Sequence, residues 1–227
     1  MNVDIVILLN NDVTVEEDFV DPLAEVFQAH EDAFFAATFL DRSDLSFHRG
    51  ILAARLDFPN YEEAKNRFGY TSNIGMGAFD RKKFLELGGY DSLYLPGRYE
   101  DLDLCYRGWK RGWKGYYQPK SRIHHGGGES FKRYYSDQAI QRLVLRNGML
   151  FMVKNIEDRA FLFQFFVWCV TRFFFSLVTL RFHMVLAFFD FFHRLSSALT
   201  ARKRIRGQKL LSDREICRTL HESSKAP

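Results

Sequence analysis

The segment Ile5-Val6-Ile7-Leu8-Leu9-Asn10-Asn11-Asp12 passes in one step from an unbroken apolar run to three polar residues. Such a run, rich in β-branched side chains, is what a strand covered on both faces of an α/β sheet requires. Ligands of open α/β sheets gather just past the carboxyl ends of strands, so Asp12 stands where a functional carboxylate is expected. Its carboxylate and the neighbouring amide oxygens suit a hard cation such as Mg²⁺ or Mn²⁺ bridging a diphosphate. The same three residues also suit a plain turn, in which Asn and Asp satisfy nearby backbone groups.

Outward from this segment the pattern stays α/β. Thr14 with Glu17 has the spacing of a capping box, and Phe19, Leu23, Val26 and Phe27 keep helical spacing, with Pro22 weakening or restarting the helix. Residues 33–40 read as a second strand, and 41–70 as hairpin or loop punctuated by Gly50 and Pro59. A strand is expected from Tyr70 through Asn73 to Asp80, which caps a helix over 81–87 closed by Gly88-Gly89. Residues 100–111 form the next expected helix, with Leu102, Cys105 or Tyr106, and Trp109 on one face and Asp103, Arg107 and Lys110 on another. Past Pro119 follow a short strand to Ile123, a turn at Gly126-Gly127-Gly128 and a long helical region from about Tyr134.

With 227 residues, 47% of them apolar, the chain has material for one good-sized domain and an appendage. A net charge of +4 from 32 basic and 28 acidic residues lacks the concentrated basic face of a nucleic-acid binder. Cys105, Cys169 and Cys217 are odd in number and without metal-type spacing, which argues against a disulfide framework and for a reducing, cytosolic setting. No charged n-region or cleavage site precedes the first strand, so no secretory signal is expected.

Two further groups carry chemistry. Glu100, Asp101 and Asp103 place three carboxylates in a helical first turn, where the positive end of the helix dipole favours ionised acids. Capping alone accounts for them; alternatively, one removes a proton from an attacking hydroxyl. His124-His125, between a strand and three glycines, could bring an imidazole to a metal or phosphate, or be ordinary surface histidines.

In order along the chain, these pieces resemble glycosyltransferase family 2, in particular its rhamnosyltransferase-like members. Leu8-Leu9-Asn10-Asn11-Asp12-Val13-Thr14-Val15 is similar to the family's metal-binding segment, with Asn in place of its first acid. The likeness makes Asp12 the metal ligand and assigns Asn10, Asn11 and Arg107, with Asp12, to the nucleotide-sugar donor. Gly75-Met76-Gly77-Ala78-Phe79-Asp80 and Gly88-Gly89-Tyr90-Asp91 resemble the segment before the catalytic helix, so Gly75, Met76 and Gly77 border the acceptor. Glu100-Asp101-Leu102-Asp103-Leu104 resembles the Glu-Asp-any-Asp-Leu block, in which the second acid, here Asp101, is the general base, flanked by Glu100 and Asp103. His124 is similar to a histidine that completes metal or diphosphate binding, with His125 as its rival. Arg146-Asn147 and Lys154-Asn155 resemble the helix that follows, and the likeness runs from about residue 3 to about residue 155.

The resemblance implies a GT-A fold, a Rossmann-like sheet with flanking helices. It implies inverting transfer of a sugar from a nucleotide-sugar to a lipid-linked or saccharide acceptor, with Mg²⁺ or Mn²⁺ as cofactor. The family carries roughly one hundred residues before its metal segment, a nucleotide-binding unit of ordinary size. That portion has no counterpart here, so the expectation is an incomplete sheet in a fragment or half of a split enzyme, with a separate nucleotide-binding polypeptide as partner. The competing expectation is a non-catalytic membrane-associated or subunit-binding module.

Residues 1–155 are thus assigned to the catalytic part and 156–227 to an α-helical, aromatic and basic tail. Of 24 Phe, many crowd into residues 160–195, interrupted by Arg172, Arg181, His183 and Asp190. No uninterrupted run reaches the roughly eighteen to twenty residues of a spanning helix, so an interfacial helical pair is expected. Arg194, Arg202, Lys203, Arg204, Arg206 and Lys209 add a basic segment able to attract anionic lipid, giving a cytoplasmic location on the inner face of the cell membrane.

Overall fold

A computed structural model describes residues 4–48, 50–56, 67–125, 129–207 and 209–225. The architecture is mixed α/β with a helical C-terminal region. Its main sheet comprises β1 (Ile5–Leu8), β7 (Gly77–Asp80), β3 (Ala33–Ala37), β8 (Lys114–Tyr117) and β6 (Gly69–Tyr70), in that spatial order. Only β3 and β8 run parallel; the other neighbours are antiparallel. Two small sheets flank it: β2 (Val13–Val15) with β9 (Ile123–His125), and the hairpin β4 (Ser43–His48) with β5 (Ile51–Leu56).

The fully covered strand is β3, not β1. All five β3 residues are buried, whereas Ile5–Leu8 is half-buried at the end of the strand order among the described residues. A register irregularity between Ala33 and Phe35 turns Phe34 and Phe35 into the same large cluster, while Ala33 and Ala36 face the smaller one under α1 (Val20–Ala29). Two glycines make room for these rings. A Cβ on Gly108 would meet Phe34 at 2.2 Å, and one on Gly115 would meet Phe35 at 1.9 Å.

Several local expectations need correction. Thr14 lies in β2 opposite His124, so its capping box with Glu17 does not form, and Glu16 pairs with Arg122 and His124. Helix α1 starts at Val20, with Pro22 in its first turn, where its missing N–H is not needed. The strand expected from Tyr70 to Asp80 is broken between β6 and β7. Thr71 and Ser72 there bond to Ser43, and Met76 N–H donates to Asp41. Strand β8 occupies residues to which no element was assigned. The expected Gly126–Gly128 turn lies outside the described residues.

Helices α2 (Arg81–Glu86) and α3 (Glu100–Lys110) form as expected, with Asp80 capping the first through Lys83 N–H. After them come α4 (Glu129–Tyr134), α5 (Asp137–Asn155), α6 (Arg159–Val178), α7 (Phe182–Ile205) and α8 (Asp213–Lys225). The division drawn at residue 155 is no break in packing: Phe165, Met184, Phe188, Phe191, Ile216 and Leu220 share one buried cluster with Phe34, Trp109 and Phe151. Asp213 of α8 reaches back into the sheet domain. It accepts from Lys110 Nζ at 2.5 Å, from Tyr106, and from the N–H groups of Glu157 and Asp158.

The tail differs from expectation in two ways. Helix α6 is long and apolar enough to cross a membrane by length and composition, because Arg172 is too isolated to disqualify it. It lies on the domain all the same: Phe161 stacks on Phe47 at 4.4 Å, and Trp168 fills the space beside Gly50. The basic segment is also partly spent internally. Arg194 donates to Leu93 O, Arg202 to the carbonyls of Val153 and Ile156, and Lys209 pairs with Glu157, leaving Lys203, Arg204 and Arg206 exposed.

Candidate active site

The loop after β1 and the start of α3 face each other across one cleft of about 680 Å³. Asn10, Asn11 and Asp12 line it from the first, and Arg98, Tyr99, Glu100, Asp101 and Leu102 from the second. Gly75 and Asn73, from the irregular segment between β6 and β7, complete the wall together with Tyr90, Ala53, Ala54 and Phe131. Carboxylates, amides and aromatic faces therefore converge on one concave surface.

Asp101 is half-buried. Its Oδ2 accepts from Asn73 Nδ2 at 3.2 Å, and its Oδ1 from the N–H of Leu102 at 2.7 Å. Burial raises its pKa above the ordinary 3.8, against the opposing pull of those bonds. Burial likewise raises Glu100, with Asp101 adding to it, and Glu100 Oε2 has no hydrogen-bond partner among the described residues. Asn73 Oδ1 is similarly buried and unpartnered.

The turn entering α3 is held in an uncommon conformation. Arg98 and Tyr99 have φ of 77° and 75°, the left-handed region that non-glycine residues avoid at a cost of about 1–3 kcal/mol each. Asn147 clamps it from α5. Its Nδ2 lies within 2.8–2.9 Å of the carbonyls of Tyr94, Gly97 and Arg98, while Arg146 bonds Asn147 Oδ1 and Leu95 O. The Arg98 guanidinium lies 4.8 Å from the Phe131 ring centroid.

Two expected site residues, Asp103 and Arg107, are engaged inside the protein. Asp103 is fully buried and bonds Tyr94, Arg107, Lys154 and Asn155. Burial opposes its ionisation, but Lys154 and Arg107 hold its pKa down at about 2. Arg107, expected at the donor, is occupied by Asp103 and by the carbonyls of Leu87 and Gly89. The polar face of the helix thus points into the protein because α5 and α8 cover it. His124 is exposed, with Nε2 3.2 Å from Glu16 Oε1; strand alternation in β9 turns it outward, and it is not among the residues lining the cleft. The side chain of His125 lies outside the description. Of the acceptor segment, Gly75 lines the cleft, while Met76 and Gly77 are buried behind it, Gly77 against Ala36 O.

Behind Gly75 lies a residue the sequence did not single out. Asp41 is buried, its Oδ2 accepting from Met76 N–H at 2.8 Å; a Cβ on Gly75 would stand 3.3 Å from its Oδ1. Burial, and the nearby Asp101 charge, push its pKa up to about 7. Asp41 lies in a segment of mixed pattern, where no periodicity marks it. Asn73, Arg98 and Tyr99 were equally unmarked, although Pro96-Gly97 beside the acids was a turn signal.

A hard cation fits the loop in its donor chemistry. Asp12 offers a carboxylate and Asn10 and Asn11 amide oxygens, a set that Mg²⁺ accepts when water and phosphate oxygens complete it. Among the described residues no group of three His, Cys, Asp or Glu forms an all-protein metal cage.

The chain matches no family model and no curated protein. Among solved structures it is similar to the crystal structure of GalNAc-T7 with UDP, GalNAc and Mn²⁺, at 16% identity and a TM-score of 0.49. The match covers 68% of this chain and 32% of that one, so the chain spans about a third of that protein's length.

Proposed function

We propose that the cleft transfers a sugar from a nucleotide-sugar donor to a hydroxyl acceptor with inversion at the anomeric carbon. The observation that carries this reading is the placement of Asp101, with its raised pKa, across one cleft from the Asn10–Asp12 loop. Asp101 takes the proton of the acceptor hydroxyl as that oxygen bonds to the anomeric carbon. The bond from that carbon to the donor phosphate breaks, and the nucleoside diphosphate departs with the electron pair. Asp12, with Asn10 and Asn11, would hold Mg²⁺ or Mn²⁺, which when bound neutralises the leaving diphosphate. Glu100 and Gly75 border the acceptor, and Tyr90 and Tyr99 offer apolar ring faces to a sugar.

The location proposed is peripheral, on the cytoplasmic face of the membrane. Phe163, Phe166 and Phe174 of α6 are 68%, 64% and 60% exposed, and Phe182, Phe189 and Phe192 of α7 are comparably bare. Apolar surface of this extent on two adjoining helices favours lipid.

Calorimetric titration with Mn²⁺ and a panel of uridine, thymidine and guanosine diphosphate sugars tests the reading. Metal-dependent binding is expected and should be lost in Asp12→Ala. Asp101→Asn should retain binding and lose transfer. Binding indifferent to metal and to Asp12, or turnover surviving in Asp101→Asn, rejects it.

A further inference from the structure

Tyr90 lines the cleft, while its neighbour Asp91 lines a different space, a polar groove of about 600 Å³ between α7 and the turn Ser92–Tyr94. The two spaces have no lining residue in common. From α7 the groove receives His193, Ser196, Ser197, Thr200 and Arg204, which recur at steps of three or four residues and so share one helix face. Arg194 stands beside them, its Nη1 donating to Leu93 O at 3.0 Å, which ties the turn to the helix and holds the guanidinium at the groove.

Positive charge here has no acid left to meet it. The only carboxylate among the described lining residues is Asp91, and both its oxygens are occupied: Oδ1 accepts from Leu93 N–H at 2.8 Å and Oδ2 from the buried Lys154 Nζ at 2.7 Å. Asp190, further back on α7, is held by Arg142 through bonds of 2.6 and 2.7 Å. Neither Arg194 nor Arg204 pairs with a carboxylate among the described residues. The charge of Arg194 is felt inside the protein, where Arg146 has its pKa lowered by burial first and by Arg194 next. The hydroxyls of Ser92, Ser196 and Ser197 have no partner among the described residues, whereas that of Thr200 turns back to Ser196 O.

We infer that this groove is a second binding site, for the phosphoryl group of a phosphate ester. Its donors name that chemistry. Two guanidinium groups supply charge-assisted hydrogen bonds in the fork geometry that phosphate oxygens accept, and three free hydroxyls add neutral donors around them. A volume of about 600 Å³ exceeds what one bare anion fills, so the ester carries a polar body that the remaining hydroxyls and His193 border. A soluble ester and the headgroup of a phospholipid share this chemistry. The site uses none of the cleft residues, so it stands or falls apart from the transfer reading.

Titration of the full chain with glycerol phosphate at constant ionic strength, followed by calorimetry, tests the inference. Saturable binding is expected, weaker by about tenfold in Arg204→Gln and by about threefold when Ser196→Ala and Ser197→Ala are combined. Arg206→Gln removes an exposed basic residue outside the groove and should leave the affinity unchanged. Asp12→Ala should also leave it unchanged, which keeps binding in the cleft out of the measurement. Glycerol and acetate should not compete. Equal losses in Arg204→Gln and Arg206→Gln would reduce the site to diffuse charge and overturn the proposal. Absence of saturable binding, loss in Asp12→Ala, or displacement by acetate would overturn it as well. Flotation with phosphatidylglycerol vesicles then assigns the source of a phosphoryl group that binds. Release of the protein by glycerol phosphate, absent in Arg204→Gln, supports the headgroup; flotation unchanged by the ester supports a soluble ester in the same groove.

Discussion

Asp101 and Asp103, two residues apart in the first turn of α3, have their pKa values moved in opposite directions. Asp101 opens onto the cleft with one amide partner and is raised by burial, whereas Asp103 is enclosed by Lys154, Arg107, Tyr94 and Asn155 and held at about 2. Replacing each by Asn should separate their roles. Asp101→Asn should leave the denaturation midpoint nearly unchanged, while Asp103→Asn uncouples a buried ion network and should cost about 3–5 kcal/mol in urea unfolding. Equal losses of stability in the two variants would contradict this division.

Asn73 donates to the ionised form of Asp101 and so lowers its pKa. Asn73→Ala should move the acid limb of the rate profile to higher pH, because Asp101 must lose its proton to act as a base. The pH dependence of kcat/KM reads this directly; a uniform fall in rate without a moved limb would make Asn73 merely structural.

Asp41 ties stability to pH. Its folded pKa of about 7 lies above the ordinary 3.8, so the folded state holds the proton more tightly than the unfolded chain. Its stabilising contribution is complete below about pH 4 and is lost as pH rises through 7, with an upper limit of about 4 kcal/mol. Asp41→Asn keeps an acceptor for Met76 N–H and should flatten the decline. Urea midpoints at pH 5 and pH 8, compared between the two proteins, measure it.

Asn147 holds the left-handed pair Arg98-Tyr99 through three carbonyls. Asn147→Ala leaves these buried acceptors unserved, at about 1–3 kcal/mol, and should release the entry to α3. Hydrogen exchange at residues 98–102 should accelerate more than exchange in β3. Uniform acceleration across both would deny a local clamp.

The bare faces of α6 and α7 predict binding to lipid vesicles. Phe166→Ser with Phe174→Ser should reduce flotation with anionic vesicles several-fold, and higher salt should weaken binding only slightly. Arg194, Arg202 and Lys209 are engaged with the protein, so of the basic segment Lys203, Arg204 and Arg206 are left to add a salt-sensitive part. A strong salt dependence insensitive to the Phe changes would reverse the order of importance.

Local signals in the sequence were enough for the elements whose causes are local. Asp80 caps α2 and Gly88-Gly89 follows it; the apolar spacing through Phe19, Leu23, Val26 and Phe27 gives α1 its buried side. The order of acids along the chain likewise brought Asp12 and Asp101 forward together. What a charged side chain does depends on what covers it, and that is decided by segments distant in sequence. Asp103 and Arg107 look like solvent-facing helix charges until α5 supplies Lys154 and Asn155. His124 looks like a ligand until pairing of β9 with β2 turns it toward Glu16. Asp41 carries no pattern at all and acquires its raised pKa only from enclosure behind Gly75, beside Asp101. Short-range periodicity and capping chemistry fix elements because their partners lie within a few residues; desolvation and ion pairing fix chemistry, and their partners here lie dozens of residues away.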